Sequence, residues 1–377
     1  MHQGLATKEE TFSYIKRFPK YSKDFYTFSH ERFFSSLGLG TYKPEPYKED
    51  NYIINFKDAI VEAVSNGVNY IDTASNYRFG VSEEEIKEAL DELITKKGFH
   101  REELVLSSKA GFIPLEFPFP EDPYAWIDNE LIAKGLCTKE EIIIDQHCLN
   151  PKFLRWSVER SLEKMGVDAL DILFLHNPET QLGYVPYPIL LGRIRDAFVL
   201  FESLVKEGKI AHYGIATWNA FLYEEDHTEY ISLIDIIKIA KEAGGENHHF
   251  KYLQMPFNMA KTHAFNYTNQ KYHDNKYYSL MQIATSEGVH IIGSSSLLQM
   301  NLFKKPFSQN LAALLGTATM TDIHTALQFA RSGPVVSALF GSVSKEHVNN
   351  NLFLAYSPKA ESTSYKSLFM VGEDNAI

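Results

Sequence analysis

Short β-rich runs alternate eight times with amphipathic helical patterns along this 377-residue chain. The predicted strands cover residues 34–39, 68–72, 104–108, 170–176, 210–216, 252–255, 289–292 and 335–340. Several of them are nearly continuous apolar runs, which is typical of parallel strands that are buried on both faces. The predicted helices cover residues 56–65, 83–95, 151–164, 194–206, 231–241, 277–286, 320–331 and 345–354. Such an alternation favours an α/β fold that closes into a (β/α)8 TIM barrel.

Residues at the predicted helix ends support these boundaries. Asn150 followed by Pro151 predicts an N-cap and the first residue of a helix, and Gly166 lies where a C′ glycine is favoured. Ser82 followed by Glu85 predicts a capping box at the start of an earlier helix. An open, doubly wound sheet shares the same local pattern. No GxGxxG motif follows the first predicted strand, however, and this favours the barrel.

The connections between the predicted elements are uneven in length. We expect an N-terminal extension over residues 1–32 and a single barrel domain over residues 33–377, with insertions at about 111–150, 178–191 and 256–276. Each insertion follows a predicted strand, on the face where barrel enzymes carry their active sites. Aromatic side chains in the first insertion favour an ordered loop that shapes a substrate site, and a surface decoration is the alternative. Whether the extension caps the barrel or lies along its side stays open.

Composition and charge exclude several classes of function. The net charge of −11, without a stripe rich in lysine and arginine, argues against a nucleic-acid partner. Two cysteines without a Cys/His cluster predict reduced thiols and no metal site. No apolar run approaches about 20 residues, and the amino terminus lacks the apolar segment of a secretory signal. We therefore expect a cytoplasmic protein without a membrane partner, whose oligomeric state stays open.

Four polar residues lie at or just beyond the carboxyl ends of the second, third and fourth predicted strands. Asp72, Lys109 and His176 end these strands, and Tyr77 follows Asp72 by five residues. Each has an ordinary explanation by itself: a cap, a solvated strand end, a core histidine or one surface tyrosine. In a barrel, the carboxyl ends of the strands meet at one mouth, so we expect the four side chains to lie close together.

As a set, these four residues match the needs of carbonyl reduction. The carbonyl oxygen becomes an alkoxide and needs a proton donor, for which Tyr77 is the candidate. A tyrosine hydroxyl, with an ordinary pKa near ~10, is a weak acid at neutral pH, and the Lys109 ammonium is expected to lower that pKa. Asp72 would keep Lys109 charged and in place. His176 would orient the carbonyl oxygen and stabilise its growing negative charge.

Four ordered motifs resemble those of the aldo-keto reductase family. They are Leu-Gly-Leu-Gly-Thr-Tyr at 37–42, the segment beginning Tyr-Ile-Asp-Thr-Ala-Ser-Asn-Tyr at 70–77, Ser-Ser-Lys-Ala-Gly at 107–111 and Leu-Phe-Leu-His at 173–176. The resemblance runs from about residue 33 to residue 355. It implies an NAD(P)H-dependent oxidoreductase with Asp72, Tyr77, Lys109 and His176 as its catalytic residues. It also implies that Thr41 and Tyr42 approach the nicotinamide and the substrate.

The resemblance extends, with departures, to the nicotinamide site. Gln254 matches the family's glutamine that holds the carboxamide group. Ala216 and Thr217 stand where a serine and an asparagine are usual, and the Thr217 hydroxyl is expected to supply an altered contact. The loop after the seventh strand is similar to the family's pyrophosphate loop, and its assigned residues are Ser294, Ser295 and Leu297. Ser294 takes the place where many relatives stack a tyrosine on the nicotinamide ring.

The adenosine end of the cofactor site is assigned in the same way from residues 340–351. The implied contacts are Gly341, Ser342, Lys345, His347, Asn350 and Asn351. His347 stands where the family usually has an arginine, whose two-pronged, always-charged grip suits a phosphate. Lys345 and the start of the last predicted helix are expected to compensate. The resemblance therefore implies NADP(H) as the favoured cofactor, and NAD(H) is the alternative.

Several functions follow from this resemblance. The first is an NAD(P)H-dependent reductase of aldehydes, ketones or sugars that takes a small-molecule carbonyl substrate. The same site run in reverse gives a sugar or alcohol dehydrogenase. A barrel that binds the cofactor as a redox sensor or partner subunit with little turnover is the alternative from another class. A barrel hydrolase is disfavoured because no paired carboxylates end the predicted strands.

Overall fold

A short helix and a β-hairpin precede the barrel. The structure is a computed structural model that describes residues 1–43, 55–116 and 118–369. Its first elements are helix α1 (Lys8–Lys16) and strands β1 (Tyr26–Ser29) and β2 (Arg32–Ser35), which pair antiparallel.

Eight parallel strands form a closed barrel. They are β3 (Leu37–Gly40), β4 (Tyr70–Asp72), β5 (Val105–Ala110), β6 (Leu170–His176), β7 (Ile210–Ala216), β8 (Phe250–Pro256), β11 (His290–Ser294) and β12 (Ser337–Gly341). Each pairs with the next along the chain, and β12 pairs with β3 to close the ring. Every residue of β6 is buried, as a strand covered on both faces requires. The predicted (β/α)8 barrel is confirmed.

Helices lie in the connections between the barrel strands and after the last strand. They are α2 (Lys57–Ser65), α3 (Val81–Lys96), α4 (Pro123–Ile127), α5 (Pro151–Met165), α6 (Tyr187–Lys206), α7 (Leu233–Gly244), α8 (His263–Asn266), α9 (Leu280–Ser286), α10 (Gln309–Leu314), α11 (Asp322–Ser332), α12 (Lys345–Asn351) and α13 (Ser362–Ser367). Among them, α5, α6, α9 and α11 contact barrel strands. A small hairpin of β9 (Gln270–Lys271) and β10 (Tyr277–Tyr278) lies in the connection after β8. None of the helices in the described ranges is long and apolar enough to cross a membrane.

The N-terminal hairpin packs on the amino-terminal end of the barrel. Ser29 Oγ lies 3.1 Å from the Tyr252 hydroxyl and 2.6 Å from Nδ1 of His290, and both partners belong to barrel strands. The Phe34 ring packs against the rings of Tyr70 and Tyr252, with centroids 5.5 Å and 5.9 Å away. This end of the barrel is therefore closed by the chain, and the opposite end carries the carboxyl ends of the strands, including Asp72 and His176.

Three predicted elements are wrong in detail. The helix predicted at 194–206 begins at Tyr187, so its first turn lies within the predicted insertion at 178–191. The predicted strand at 34–39 combines the end of β2 with the start of β3, which pair with different strands in different directions. The apolar run is continuous through both, so hydropathy cannot show the change of partner. The predicted helix at 277–286 begins only at Leu280, because Ser279 caps it and the two preceding residues form β10.

Helix ends show where local signals hold and where remote contacts override them. The Asn150 side chain caps α5 by accepting from the Lys152 backbone N–H at 2.8 Å, as predicted. The predicted capping box of Ser82 and Glu85 is wrong, since α3 already begins at Val81. The Ser82 hydroxyl instead donates to a backbone carbonyl in the loop after β3, and Glu85 accepts from the backbone N–H before α2. Both side chains serve contacts between elements.

Candidate active site

A cavity of about 970 Å³ opens at the carboxyl ends of the barrel strands. Asp72, Tyr77, Lys109 and His176 all line it, so the structure brings the four predicted residues together. Asp72 and His176 are the last residues of β4 and β6, and Lys109 is next to last in β5. A smaller cavity of about 600 Å³ beside α7 contains none of the four.

Asp72 and Lys109 form a buried ion pair at the floor of this cavity. Lys109 Nζ donates to Oδ2 of Asp72 and to the backbone carbonyl of Thr73, both at 2.7 Å. The other carboxylate oxygen accepts from Ser107 Oγ and Gln254 Nε2, also at 2.7 Å. Burial lowers the pKa of Lys109 below its ordinary value, and the Asp72 carboxylate limits that fall. Both charges are therefore held by several partners.

Tyr77 lies over this ion pair. Lys109 Nζ is 4.8 Å from the centre of the Tyr77 ring, and the rings of Tyr42 and His176 lie 5.1 Å and 6.0 Å away. Burial raises the pKa of Tyr77 well above its ordinary value, and Asp72 and Tyr42 raise it further. The net pKa of Tyr77 lies above its ordinary value, and not below it as expected, because the ammonium of Lys109 is bonded to Asp72 and burial outweighs its influence. Tyr77 therefore keeps its proton at neutral pH.

His176 is a neutral imidazole in this site. Burial, together with the charge of Lys109 and the neighbouring His147, lowers its pKa well below the ordinary value. Its Nδ1 is buried and has no hydrogen-bond partner among the described residues. The Phe112 ring packs edge-on against it with centroids 4.9 Å apart, and Nε2 of His147 lies 2.7 Å from its backbone carbonyl. Sequence reasoning missed His147, because nothing local marks a histidine at the end of a long insertion.

Most of the residues assigned to cofactor binding line the same cavity. These are Tyr42, Thr217, Gln254, Ser294, Ser295, Leu297, Gly341, Ser342, His347, Asn350 and Asn351. Thr41 and Lys345 are not among the lining residues. Thr41 is buried, with its hydroxyl 2.8 Å from Oγ1 of Thr73, and Lys345 forms an ion pair with Asp58 at 3.2 Å.

The Thr217 hydroxyl is engaged inside the protein. It donates to Oε1 of Glu179 at 2.6 Å and accepts from the Ala220 backbone N–H at 3.1 Å. The same carboxylate oxygen accepts from the Trp218 backbone N–H at 3.0 Å. Burial raises the pKa of Glu179 to about 7. The hydroxyl expected to contact a carboxamide is thus already used in holding the wall of the cavity.

Comparison with known proteins identifies the family. The sequence profile described as "Aldo/keto reductase family" matches residues 36–359. The chain belongs to the aldo-keto reductase family. No group of three or more His, Cys, Asp or Glu side chains in the described ranges is arranged to hold a metal ion.

This chain is less than 30% identical to each of two related proteins. It is 28% identical to the NADH-specific methylglyoxal reductase of Escherichia coli over 48% of the chain and 46% of that protein. It is 29% identical to D-threo-aldose 1-dehydrogenase of a Pseudomonas species over 42% of the chain and 43% of that protein. Both names describe oxidoreductases, and the chain spans less than half the length of each. The aldose reductase structure from Schistosoma japonicum shares the fold, with a TM-score of 0.57, 17% identity and coverage of 92% and 91%.

Proposed function

We propose that this aldo-keto reductase reduces an aldehyde, ketone or sugar carbonyl with a nicotinamide cofactor, using Tyr77 as the proton donor. One observation carries the proposal: the buried Asp72–Lys109 pair lies under the Tyr77 ring, and His176 lines the same cavity. A bound reduced nicotinamide supplies hydride to the carbonyl carbon. The protein's part is to position the carbonyl and to give its oxygen a proton.

The four side chains divide this work. Tyr77 holds its proton at neutral pH, because burial raises its pKa. When the proton moves to the developing alkoxide, the phenolate that forms has the Lys109 ammonium 4.8 Å from its ring centre. That charge favours the phenolate more than the neutral phenol, so it lowers the barrier. Asp72 keeps the ammonium charged, and His176, as a neutral imidazole, presents a hydrogen bond to the carbonyl oxygen.

The same residues run in reverse would oxidise an alcohol. Tyr77 would then act as a base, and it needs to lose its proton first. The raised pKa of Tyr77 makes that form scarce at neutral pH, so we expect reduction to dominate there and oxidation to gain as the pH rises.

The donor set of the cavity suits an elongated, polar cofactor. Gln254 donates to Asp72 at the catalytic end, and Ser294, Ser295, Leu297, Ser342 and Asn351 line the same cavity. The usual preference of the family favours NADPH, but two features of this chain favour NADH. Lys345 is paired with Asp58, which places a carboxylate beside it, and His347 lacks the two-pronged grip of arginine on a phosphate.

Aromatic side chains line the cavity, and two of them lie next to catalytic residues: Tyr42 beside Tyr77, and Phe112 beside His176. Tyr42, Phe112 and Trp218 line the cavity, and Trp218 and Tyr42 are each nearly half exposed. Contact with such side chains is favourable for an apolar or aromatic group of a substrate, because it covers apolar surface on both partners. We therefore propose a carbonyl substrate with an apolar or aromatic flank.

Turnover with carbonyl compounds tests the proposal. Loss of reduced-nicotinamide absorbance is followed with a panel of aliphatic and aromatic aldehydes, ketones and aldoses, with NADH and NADPH in parallel. We expect catalytic oxidation of the cofactor, fastest with aromatic aldehydes. A protein that binds either cofactor but turns over with no carbonyl would instead be a redox sensor or a partner subunit, and the proposal would be wrong.

A further inference from the structure

The insertion that follows β5 closes on itself next to His176. Phe112, near its start, and His147, near its end, pair in an antiparallel bridge. Ile113 N donates to the Gln146 carbonyl at 2.7 Å, and backbone bonds on the other side of the bridge complete the closure. The long excursion between these ends therefore returns to the strand end from which it departed.

His147 is thereby brought against the backbone of His176. Its side chain is fully buried, and its Nε2 lies 2.7 Å from the carbonyl oxygen of His176. The approach depends on Gly111, whose φ is +147°. A Cβ there would lie 2.9 Å from that carbonyl oxygen and 3.1 Å from Nε2 of His147. The Phe112 ring packs against both imidazoles, each at 4.9 Å between ring centres.

A chain of hydrogen bonds sets the direction of this contact. The Arg193 guanidinium can only donate, and it donates to the side-chain carbonyl of Gln181. The Gln181 amide therefore presents its NH₂ to Nδ1 of His147, 3.0 Å away. With Nδ1 accepting, the ring carries its proton on Nε2 and donates it to the His176 carbonyl. Burial lowers the pKa of His147 to about 4, so the ring stays neutral at neutral pH.

We propose that His147 is a positioning residue that holds His176 in the orientation needed for carbonyl reduction. The imidazole of His176 has a buried Nδ1 without a partner among the described residues, so this nitrogen does not orient the ring. Orientation instead comes from the anchored backbone and from packing on Phe112. The inference rests on the proposed function, and it assigns to the insertion a role in positioning beyond shaping the substrate site.

Two substitutions of His147 distinguish the effect of its hydrogen-bond donor from the effect of its size. His147→Gln keeps a donor at the position of Nε2, whereas His147→Phe keeps a buried ring without one. His248→Phe is the matched control, because His248 is buried and precedes β8 at the opposite end of the barrel. Gln181→Met leaves His147 in place and removes the donor that sets its tautomer. For each variant, kcat, KM for the carbonyl and Kd for the reduced cofactor are measured.

We expect His147→Phe to lower kcat by about 10- to 100-fold, as a small displacement of a catalytic group does, with unchanged cofactor Kd. His147→Gln should recover most of the rate, Gln181→Met should fall between the two, and His248→Phe should match the wild type. Wild-type turnover in His147→Phe would overturn the inference. So would an equal loss in His147→Gln, which would assign the effect to packing, or an equal loss in His248→Phe.

A second measurement does not depend on turnover. Protein labelled with ¹⁵N-histidine gives ring spectra in which His147 should show a neutral ring protonated at Nε2. The His176 ring signals should change in His147→Phe and stay in place in His147→Gln. If the wild type reduces no carbonyl, the proposed function is wrong, but these spectra still show whether His147 positions His176. Unchanged His176 signals in His147→Phe would overturn the positioning role.

Discussion

The buried Asp72–Lys109 pair predicts a large energetic coupling between its two residues. The side chains are 5% and 1% exposed, and their charged atoms are 2.7 Å apart. Removing one partner leaves the other charge buried. Lys109→Met leaves Asp72 with only the neutral donors of Ser107 and Gln254, and Asp72→Asn leaves the ammonium with the Thr73 carbonyl and a neutral amide. Each change should cost about 3–5 kcal/mol of unfolding free energy.

The double variant should cost much less than the sum. Asp72→Asn with Lys109→Met removes both charges and keeps an acceptor for Ser107 and Gln254, so we expect an interaction energy of at least about 2 kcal/mol. Equilibrium unfolding in urea, followed by the fluorescence of the three tryptophans, measures all four proteins. Single variants that each lose less than about 1 kcal/mol, or losses that add, would refute the reasoning.

Three further predictions concern the cofactor, the closed end of the barrel and one helix. His347→Arg should tighten NADPH binding relative to NADH, and an unchanged Kd ratio in fluorescence titrations would show that His347 is not at the 2′-phosphate. Burial lowers the pKa of His30 to about 3 and that of His212 to about 2. In the unfolded chain both imidazoles bind a proton below about pH 6.5, whereas in the folded protein they stay neutral down to about pH 3 or below. The unfolding free energy should therefore fall as the pH drops from about 6.5 towards about 3, and replacing both histidines by Phe should make it less dependent on pH. Asn150→Ala should lower the unfolding free energy by about 1 kcal/mol in urea titrations, and a cost near zero would contradict its capping role.

Features that depend on neighbours along the chain were predictable. Asn150 and Pro151 mark the start of α5, and the eight alternating patterns, together with the absence of a GxGxxG motif after the first predicted strand, predict the barrel. Asp72, Lys109 and His176 were found because barrel closure brings strand ends together. No more than the order of the elements is needed for that inference.

Features that depend on remote partners were not predictable. The Thr217 hydroxyl donates a hydrogen bond to Glu179, which follows a different strand. Lys345 forms an ion pair with Asp58 on α2. Neither partner is marked by local sequence. The sequence marks the cation next to Tyr77 but does not show how deeply Tyr77 is buried. Burial raises the pKa of Tyr77, whereas the cation by itself would lower it.

Tyr77 is the proposed proton donor in carbonyl reduction. Tyr77→Phe removes only its hydroxyl, and Tyr213→Phe removes a buried hydroxyl that donates to Glu202 outside the cavity lining. Both are compared with the wild type in cofactor oxidation by an aldehyde and in cofactor binding. We predict that Tyr77→Phe loses at least about 100-fold in kcat with unchanged Kd, and that Tyr213→Phe keeps the wild-type rate. A Tyr77→Phe protein that keeps most of the rate would contradict the assignment.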